Sequence, residues 1–147
     1  MRDGFKAEGD VIFTFGYAGG SFQWSGVKSP EKATLDLTLA HVRTVLNDQA
    51  SLPKQLSLNG FTYDQIDRRA SLHADDQLRW LALPGDGRFS TQPFEQLASV
   101  FRKMGLEEDA RAVMIAKNEK LAQYFQGKPG WLWYGVFGKL IGYGYKP

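Results

Sequence analysis

Residues 35–66, LDLTLAHVRTVLNDQASLPKQLSLNGFTYDQI, decide the fold because they contain two copies of one pattern. Leu35 and Leu37 in the first copy correspond to Leu56 and Leu58 in the second, 21 residues later. Each copy alternates apolar and polar residues before a turn, as a half-buried β-strand does. The pattern therefore predicts two similar strand–turn units that follow each other along the chain.

An earlier copy of the same pattern begins at Phe13. Phe13 and Phe15 stand 22 residues before Leu35 and Leu37. A period near 20 residues is typical of solenoid proteins, in which each unit buries its apolar face against its neighbours. We therefore expect a short parallel β-solenoid of β-helix-like coils, with Phe13, Leu35 and Leu56 in register in one column.

An antiparallel sandwich with evenly spaced strands is the alternative to the solenoid. The two folds differ in the pairing of residues 35–39 with residues 56–60, which is parallel in a solenoid and antiparallel in a sandwich. The sequence alone leaves both folds open.

A helical period replaces the strand pattern from residue 68. A first short helix carries Asp75 and Asp76 in its first turn, where acidic side chains suit the helix dipole. A second runs from Thr91 or Gln92 to about residue 105, and a third from Glu107 to Gln126. The fold class expected is thus α+β, with a C-terminal helical region that caps the solenoid.

The second and third helices resemble a tetratricopeptide-type hairpin. The matching positions are Phe94, Leu97, Ala98, Phe101, Gly105, Ala110 and Met114. Lys117 departs from that motif, because a small residue is usual at its position. One hairpin implies packing between two helices rather than a peptide-binding array.

Three regions follow from these patterns: strands in 1–67, helices in 68–127 and an aromatic, glycine-rich segment in 128–147. The last segment is too short and glycine-rich to span a membrane, but Trp and Tyr are typical of membrane interfaces. We expect it to contact a membrane surface or another protein chain; a tail folded back on the soluble part is the alternative. The predicted contact residues are Trp131, Trp133, Tyr134, Phe137, Lys139, Tyr143 and Tyr145.

The order of these features resembles the C-terminal part of large bacterial membrane-associated proteins that carry β-helical repeats and are often labelled membrane-associated oxidoreductases. The matching stretches are GFKAEG (4–9), LSLNGFTY (56–63), LRWLA (78–82), QPFEQLA (92–98), ARAVMIAK (110–117) and GYGYKP (142–147). Lys139 and Lys146 in the aromatic segment favour an anionic leaflet, so we expect a peripheral location on the cytoplasmic face of the inner membrane. In the proteins that this chain resembles, membrane-spanning helices would begin after the position of Pro147. The resemblance therefore implies that the chain is an excerpt or a short form of such a protein.

Composition restricts the chemistry that this chain can carry. A net charge of +2 argues against a nucleic-acid partner, and the lack of cysteine excludes thiolate chemistry. We expect no cofactor, since no dinucleotide fingerprint is present. We also expect no metal, since His41 and His73 are the only histidines and no carboxylate stands at ligand spacing from them. His41, Arg43 and Asp36 could share one outer face, but a solvated surface explains them as well.

We therefore expect a non-catalytic membrane-associated scaffold or interaction module, with self-association as one mode of binding. The alternative is that this chain forms one part of a membrane-associated oxidoreductase whose cofactor site lies outside it.

Overall fold

The computed structural model describes residues 9–14 and 16–126 of the 147-residue chain. The six strands are β1 (Asp10–Ile12), β2 (Tyr17–Trp24), β3 (Thr34–Asp36), β4 (His41–Asn47), β5 (Gln55–Ser57) and β6 (Thr62–Ile66). The three helices are α1 (Ala74–Leu81), α2 (Gln92–Lys103) and α3 (Glu107–Phe125). Short 3-10 turns at Pro30–Lys32 and Gln49–Ser51 connect β2 to β3 and β4 to β5.

The strands form two small parallel sheets, because the chain alternates between them. One sheet has the order β1-β3-β5 and the other the order β2-β4-β6. The turns from β3 to β4 and from β5 to β6 correspond to each other: the Ala40 N–H donates to the Leu37 carbonyl, and the Phe61 N–H donates to the Leu58 carbonyl. Gly60, with φ of 75°, suits the left-handed backbone of the second turn, and Leu39, with φ of 58°, takes the equivalent position of the first turn.

The β-solenoid prediction is wrong: the described residues form an α+β structure with two three-stranded parallel sheets and three helices. The units stacked in a solenoid repeat one structure. Here the step between paired strands is 24 residues from β1 to β3 and 21 from β3 to β5. The two strands of a unit also differ in length, with three residues in β1 and eight in β2. The near-constant period reflects the alternation of the chain between two sheets.

The pairing predicted for Leu35 is correct on one side and wrong on the other. Leu35 pairs with Leu56 in a parallel ladder, as predicted, so the antiparallel sandwich is excluded. Its other partner is Val11 rather than Phe13. Phe13 lies just beyond β1, where its N–H donates to the Asp36 carbonyl at 2.8 Å.

The apolar residues form two adjoining clusters. The first fills the space between the sheets and includes Trp24, Leu35, Val42, Leu56, Phe61 and Trp80. The second joins the helices to the end of the second sheet and includes Ile66, Phe94, Leu97, Phe101, Ala110 and Val113. Tyr63 packs against both clusters, so the sheets and the helices share a continuous interior.

The helix predictions are confirmed to within one or two residues. Pro93 stands in the first turn of α2, and Gly105, with φ of 78°, lies between α2 and α3. Ala98 and Ala110 are fully buried, which lets the two helices approach closely. Lys117 is also buried, with its Nζ 3.6 Å from Glu95 Oε1. Helix α2 lies against β6, so the helices cover the last strand of the second sheet.

Candidate functional site at the sheet edges

The outer edge of β6 is covered by two glutamines of α2. Gln92 accepts a hydrogen bond from the Gly60 N–H and donates one to the Phe61 carbonyl, both at 3.0 Å. One helical turn later, Gln96 donates to the Tyr63 carbonyl at 2.7 Å. Amide side chains suit this task because each carries both a donor and an acceptor. Three hydrogen bonds to α2 thus cover the start of β6 and the turn before it.

The outer edge of β5 is covered by the loop after α1. The Leu56 N–H donates to the Pro84 carbonyl at 2.8 Å. Gly85 lies so close that a Cβ there would be 3.0 Å from the Leu56 carbonyl oxygen. Both sheets are therefore closed at the end where the third strand lies.

We expect Gln92→Ala to lower the free energy of unfolding by about 1–3 kcal/mol, because it leaves the part-buried Gly60 N–H and Phe61 carbonyl without their partner. Urea unfolding would measure the loss. Gln123→Ala, at an exposed position of α3, is the matched control and should change stability by less than about 0.5 kcal/mol. Equal effects of the two substitutions would show that the α2 glutamines do not stabilise the β6 edge.

The outer edge of β1 has no such cover among the described residues. The Gly9 carbonyl and the Phe13 N–H both bond to β3. Because backbone groups alternate in direction along a strand, those of Asp10 and Ile12 face away from β3. Among the described residues these outward groups have no hydrogen-bond partner, and the Ile12 side chain is 66% exposed.

The outer edge of β2 is likewise uncovered within the described part of the chain. Tyr17 at its start is 78% exposed. A Cβ added at Gly19 or Gly20 would meet nothing within 4 Å, so the faces of the strand are open there. The pairing of β2 with β4 shifts register between Ala18 and Ser21, and such a bulge bends a strand. Since both sheets follow chain order, the open edges of β1 and β2 lie at the same end of the molecule.

His41 forms a cross-strand cluster on the outer face of the second sheet. It pairs in register with Tyr17 and Thr62. The Tyr17 ring stacks on the imidazole with centroids 5.4 Å apart, and the His41 Nδ1 atom shares a 2.7 Å hydrogen bond with Thr62 Oγ1. The Nε2 atom lies 4.0 Å from Asp64 Oδ1, which is beyond hydrogen-bond length.

This cluster differs from the one considered from the sequence. The Asp36 carboxylate turns back to Thr38, accepting hydrogen bonds from its N–H at 2.9 Å and its hydroxyl at 2.6 Å. The partners of His41 are Thr62 and Asp64 instead, and the 21-residue offset that relates β4 to β6 could have identified them. A hydroxyl, an imidazole and a carboxylate in line suggest nucleophilic catalysis. The 4.0 Å distance between His41 Nε2 and Asp64 Oδ1 and the solvent exposure of both side chains indicate instead that the cluster stabilises the pairing of the strands.

The residues predicted to contact a membrane or partner all lie outside the described residues. They are Trp131, Trp133, Tyr134, Phe137, Lys139, Tyr143 and Tyr145. Within residues 9–14 and 16–126, no helix is both long and apolar enough to cross a membrane. The same part of the chain contains no group of three or more His, Asp or Glu side chains arranged to hold a metal ion.

Comparison with known proteins gave no match to a family model, to a curated protein or to a solved structure. The resemblance to bacterial membrane-associated proteins therefore stays a prediction. The geometry of the sheet edges is the observation on which a functional proposal can rest.

Proposed function

We propose that this protein is a non-catalytic scaffold that self-associates through the open edges of β1 and β2 and contacts a membrane through residues 128–147. The observation that carries the proposal is the difference between the two ends of the sheets. Three hydrogen bonds from glutamines and one to a proline carbonyl cover the edges of β6 and β5. The edges of β1 and β2 lack such partners within the described residues. An exposed strand edge readily pairs with another chain.

A second copy of this chain is the partner that fits both open edges at once. A two-fold axis perpendicular to the strands would set β1 against β1 and β2 against β2, each pair antiparallel. Such an interface is isologous, so strand lengths match automatically. With the axis at Val11, the outward N–H and carbonyl groups of Asp10 would bond to those of Ile12 in the second copy, and the reverse. The apolar surface of the exposed Ile12 and Tyr17 side chains would be removed from water, which stabilises the dimer.

Sedimentation velocity of the full chain over a range of protein concentrations tests self-association. We expect a monomer–dimer equilibrium that Ile12→Lys shifts strongly towards monomer, because lysine on an edge strand opposes pairing with another edge. The variant should fold normally, since the Ile12 side chain is largely exposed.

The matched control is Ile115→Lys, which makes the same substitution at a 51% exposed position of α3. It should leave the equilibrium unchanged. A wild-type chain that stays monomeric at every concentration would contradict the proposal. If both lysine substitutions weaken self-association equally, the association depends on general surface hydrophobicity and not on the β1 edge.

The membrane part of the proposal rests on residues 128–147. The apolar surface of Trp131, Trp133 and Phe137 could contribute a few kcal/mol of interfacial binding at roughly 25 cal/mol per Å². Lys139 and Lys146 add about 1 kcal/mol each against an anionic leaflet, which favours the cytoplasmic face.

Liposome flotation at low salt tests this part separately. We expect the full chain to float with vesicles that contain anionic lipid, and a variant with Trp131→Ser, Trp133→Ser and Phe137→Ser to stay in the soluble fraction. Ile115→Ser is the control for loss of an exposed apolar side chain, and it should float like wild type. A triple variant that floats as well as wild type would remove membrane contact from the proposal and leave self-association standing.

A further inference from the structure

A cleft of about 180 Å³ lies between the β5–β6 turn, the loop after α1 and the helices α2 and α3. An engineered protein cavity of about 150 Å³ holds one benzene molecule. The cleft therefore has room for a ligand the size of a single ring, and it is too small for a nucleotide, since most cofactor sites are about 300 Å³ or larger.

The apolar wall of the cleft includes Trp80 and Phe94, both of which belong to the buried core. Trp80 is only 6% exposed. Its indole Nε1–H is buried and has no hydrogen-bond acceptor among the described residues. A buried donor without an acceptor is costly, so native proteins seldom keep one unless it serves another purpose.

Two cationic side chains also line the cleft, Arg88 from the loop and Lys120 from α3. The carboxylate in the lining, Asp86, already accepts hydrogen bonds from the Arg88 backbone N–H at 3.0 Å and from Asn59 at 3.5 Å. Its Oδ2 lies 4.0 Å from Arg88 Nε, which leaves the other guanidinium N–H groups for a ligand. The two cations outnumber this single carboxylate, so the charge of the cleft favours an anion.

The loop that carries Arg88 is fixed against α3. The next residue, Phe89, stacks on Tyr124 with ring centroids 4.6 Å apart and planes within 14°. Gly85, at the other end of the loop, lies directly against the Leu56 carbonyl oxygen. The loop is thus held at both ends, which reduces the entropy cost of ordering it when a ligand binds in the cleft.

From these observations we infer that the cleft binds a small aromatic carboxylate. The ring would lie against Trp80 and Phe94, and the carboxylate would accept hydrogen bonds from Arg88 and Lys120, which are stronger than hydrogen bonds between neutral groups. This inference is independent of self-association and of membrane contact, since none of these residues lies on β1, β2 or residues 128–147.

Titration of the full chain with benzoate, followed in a ¹H–¹⁵N spectrum, tests the inference. Trp80→Phe assigns the Trp80 indole resonance, because that resonance disappears in the variant. We expect benzoate to shift this resonance saturably and benzyl alcohol, which has no charge, to bind about tenfold more weakly or not at all.

Arg88→Gln and Lys120→Gln should each weaken benzoate binding about tenfold while the rest of the spectrum keeps its dispersion. Arg79→Gln, at an exposed position of α1 outside the cleft, is the matched control and should bind like wild type. The inference is overturned if benzoate leaves the Trp80 resonance in place. It is also overturned if benzyl alcohol binds equally well, or if both cleft variants bind as tightly as the control.

Discussion

Phe101→Ala should lower the free energy of unfolding by about 3–5 kcal/mol, which is the usual cost of removing a fully buried phenylalanine ring. Phe101 has no exposed surface and belongs to the cluster that joins α2 and α3 to the second sheet. The substitution leaves a cavity between two helices that already approach closely at Ala98 and Ala110, so the surroundings have little freedom to collapse. Urea unfolding measured by circular dichroism would give the difference.

Phe101→Leu is the control for the loss of apolar volume, because it retains most of that volume. It should lower the free energy of unfolding clearly less than Phe101→Ala. Ile115→Ala, on the exposed side of α3, should change stability by less than about 0.5 kcal/mol. If Phe101→Ala unfolds at the same urea concentration as wild type, the packing between α2 and α3 described above is incorrect.

Trp24→Ala should have a similar effect, about 3–5 kcal/mol, in the other cluster. Trp24 is fully buried between the two sheets, and its indole N–H donates to the Ser51 carbonyl at 2.6 Å. The Ser51 hydroxyl in turn accepts from the Val27 N–H at 3.0 Å. The variant therefore loses packing and also a buried hydrogen bond that holds the turn between β4 and β5.

Trp24→Phe separates these two contributions. It keeps an aromatic ring but leaves the Ser51 carbonyl without its donor, so a loss of about 1–3 kcal/mol is expected. Because Tyr63 packs against both clusters, Trp24→Ala and Phe101→Ala should each lower the midpoint of one shared unfolding transition. Two separate transitions in either variant would contradict a continuous interior.

The parallel pairing of β3 with β5 could be predicted from the sequence, whereas the architecture around it could not. Leu35 and Leu56 stand in equivalent strands that are followed by turns of equal length, so their offset gives the register directly. The same reasoning failed for Phe13, because the step from β1 to β3 is longer than the step from β3 to β5. A regular period in sequence also does not state how many strands a sheet has or what covers its last strand.

The helices were easier to predict, since Pro93, the acidic residues at Glu107–Asp109 and Gly105 mark their ends by local chemistry. The features of the candidate sites depend on contacts between distant segments. The hydrogen bonds of Gln92 to the β6 edge span about 30 residues of sequence. The indole N–H of Trp80 is distinguished only by the lack of an acceptor around it, which no sequence pattern reveals.

Amide hydrogen exchange at β1, measured by NMR at several protein concentrations, tests the proposed self-association most directly. The outward amides of Asp10 and Ile12 should exchange rapidly in dilute solution and slow down as the dimer forms, while the inward amides of Val11 and Phe13 stay protected throughout. Ile12→Lys should remove the concentration dependence at Asp10. Exchange at Asp10 and Ile12 that stays fast at every concentration, in a chain whose inward amides are protected, would contradict association through this edge.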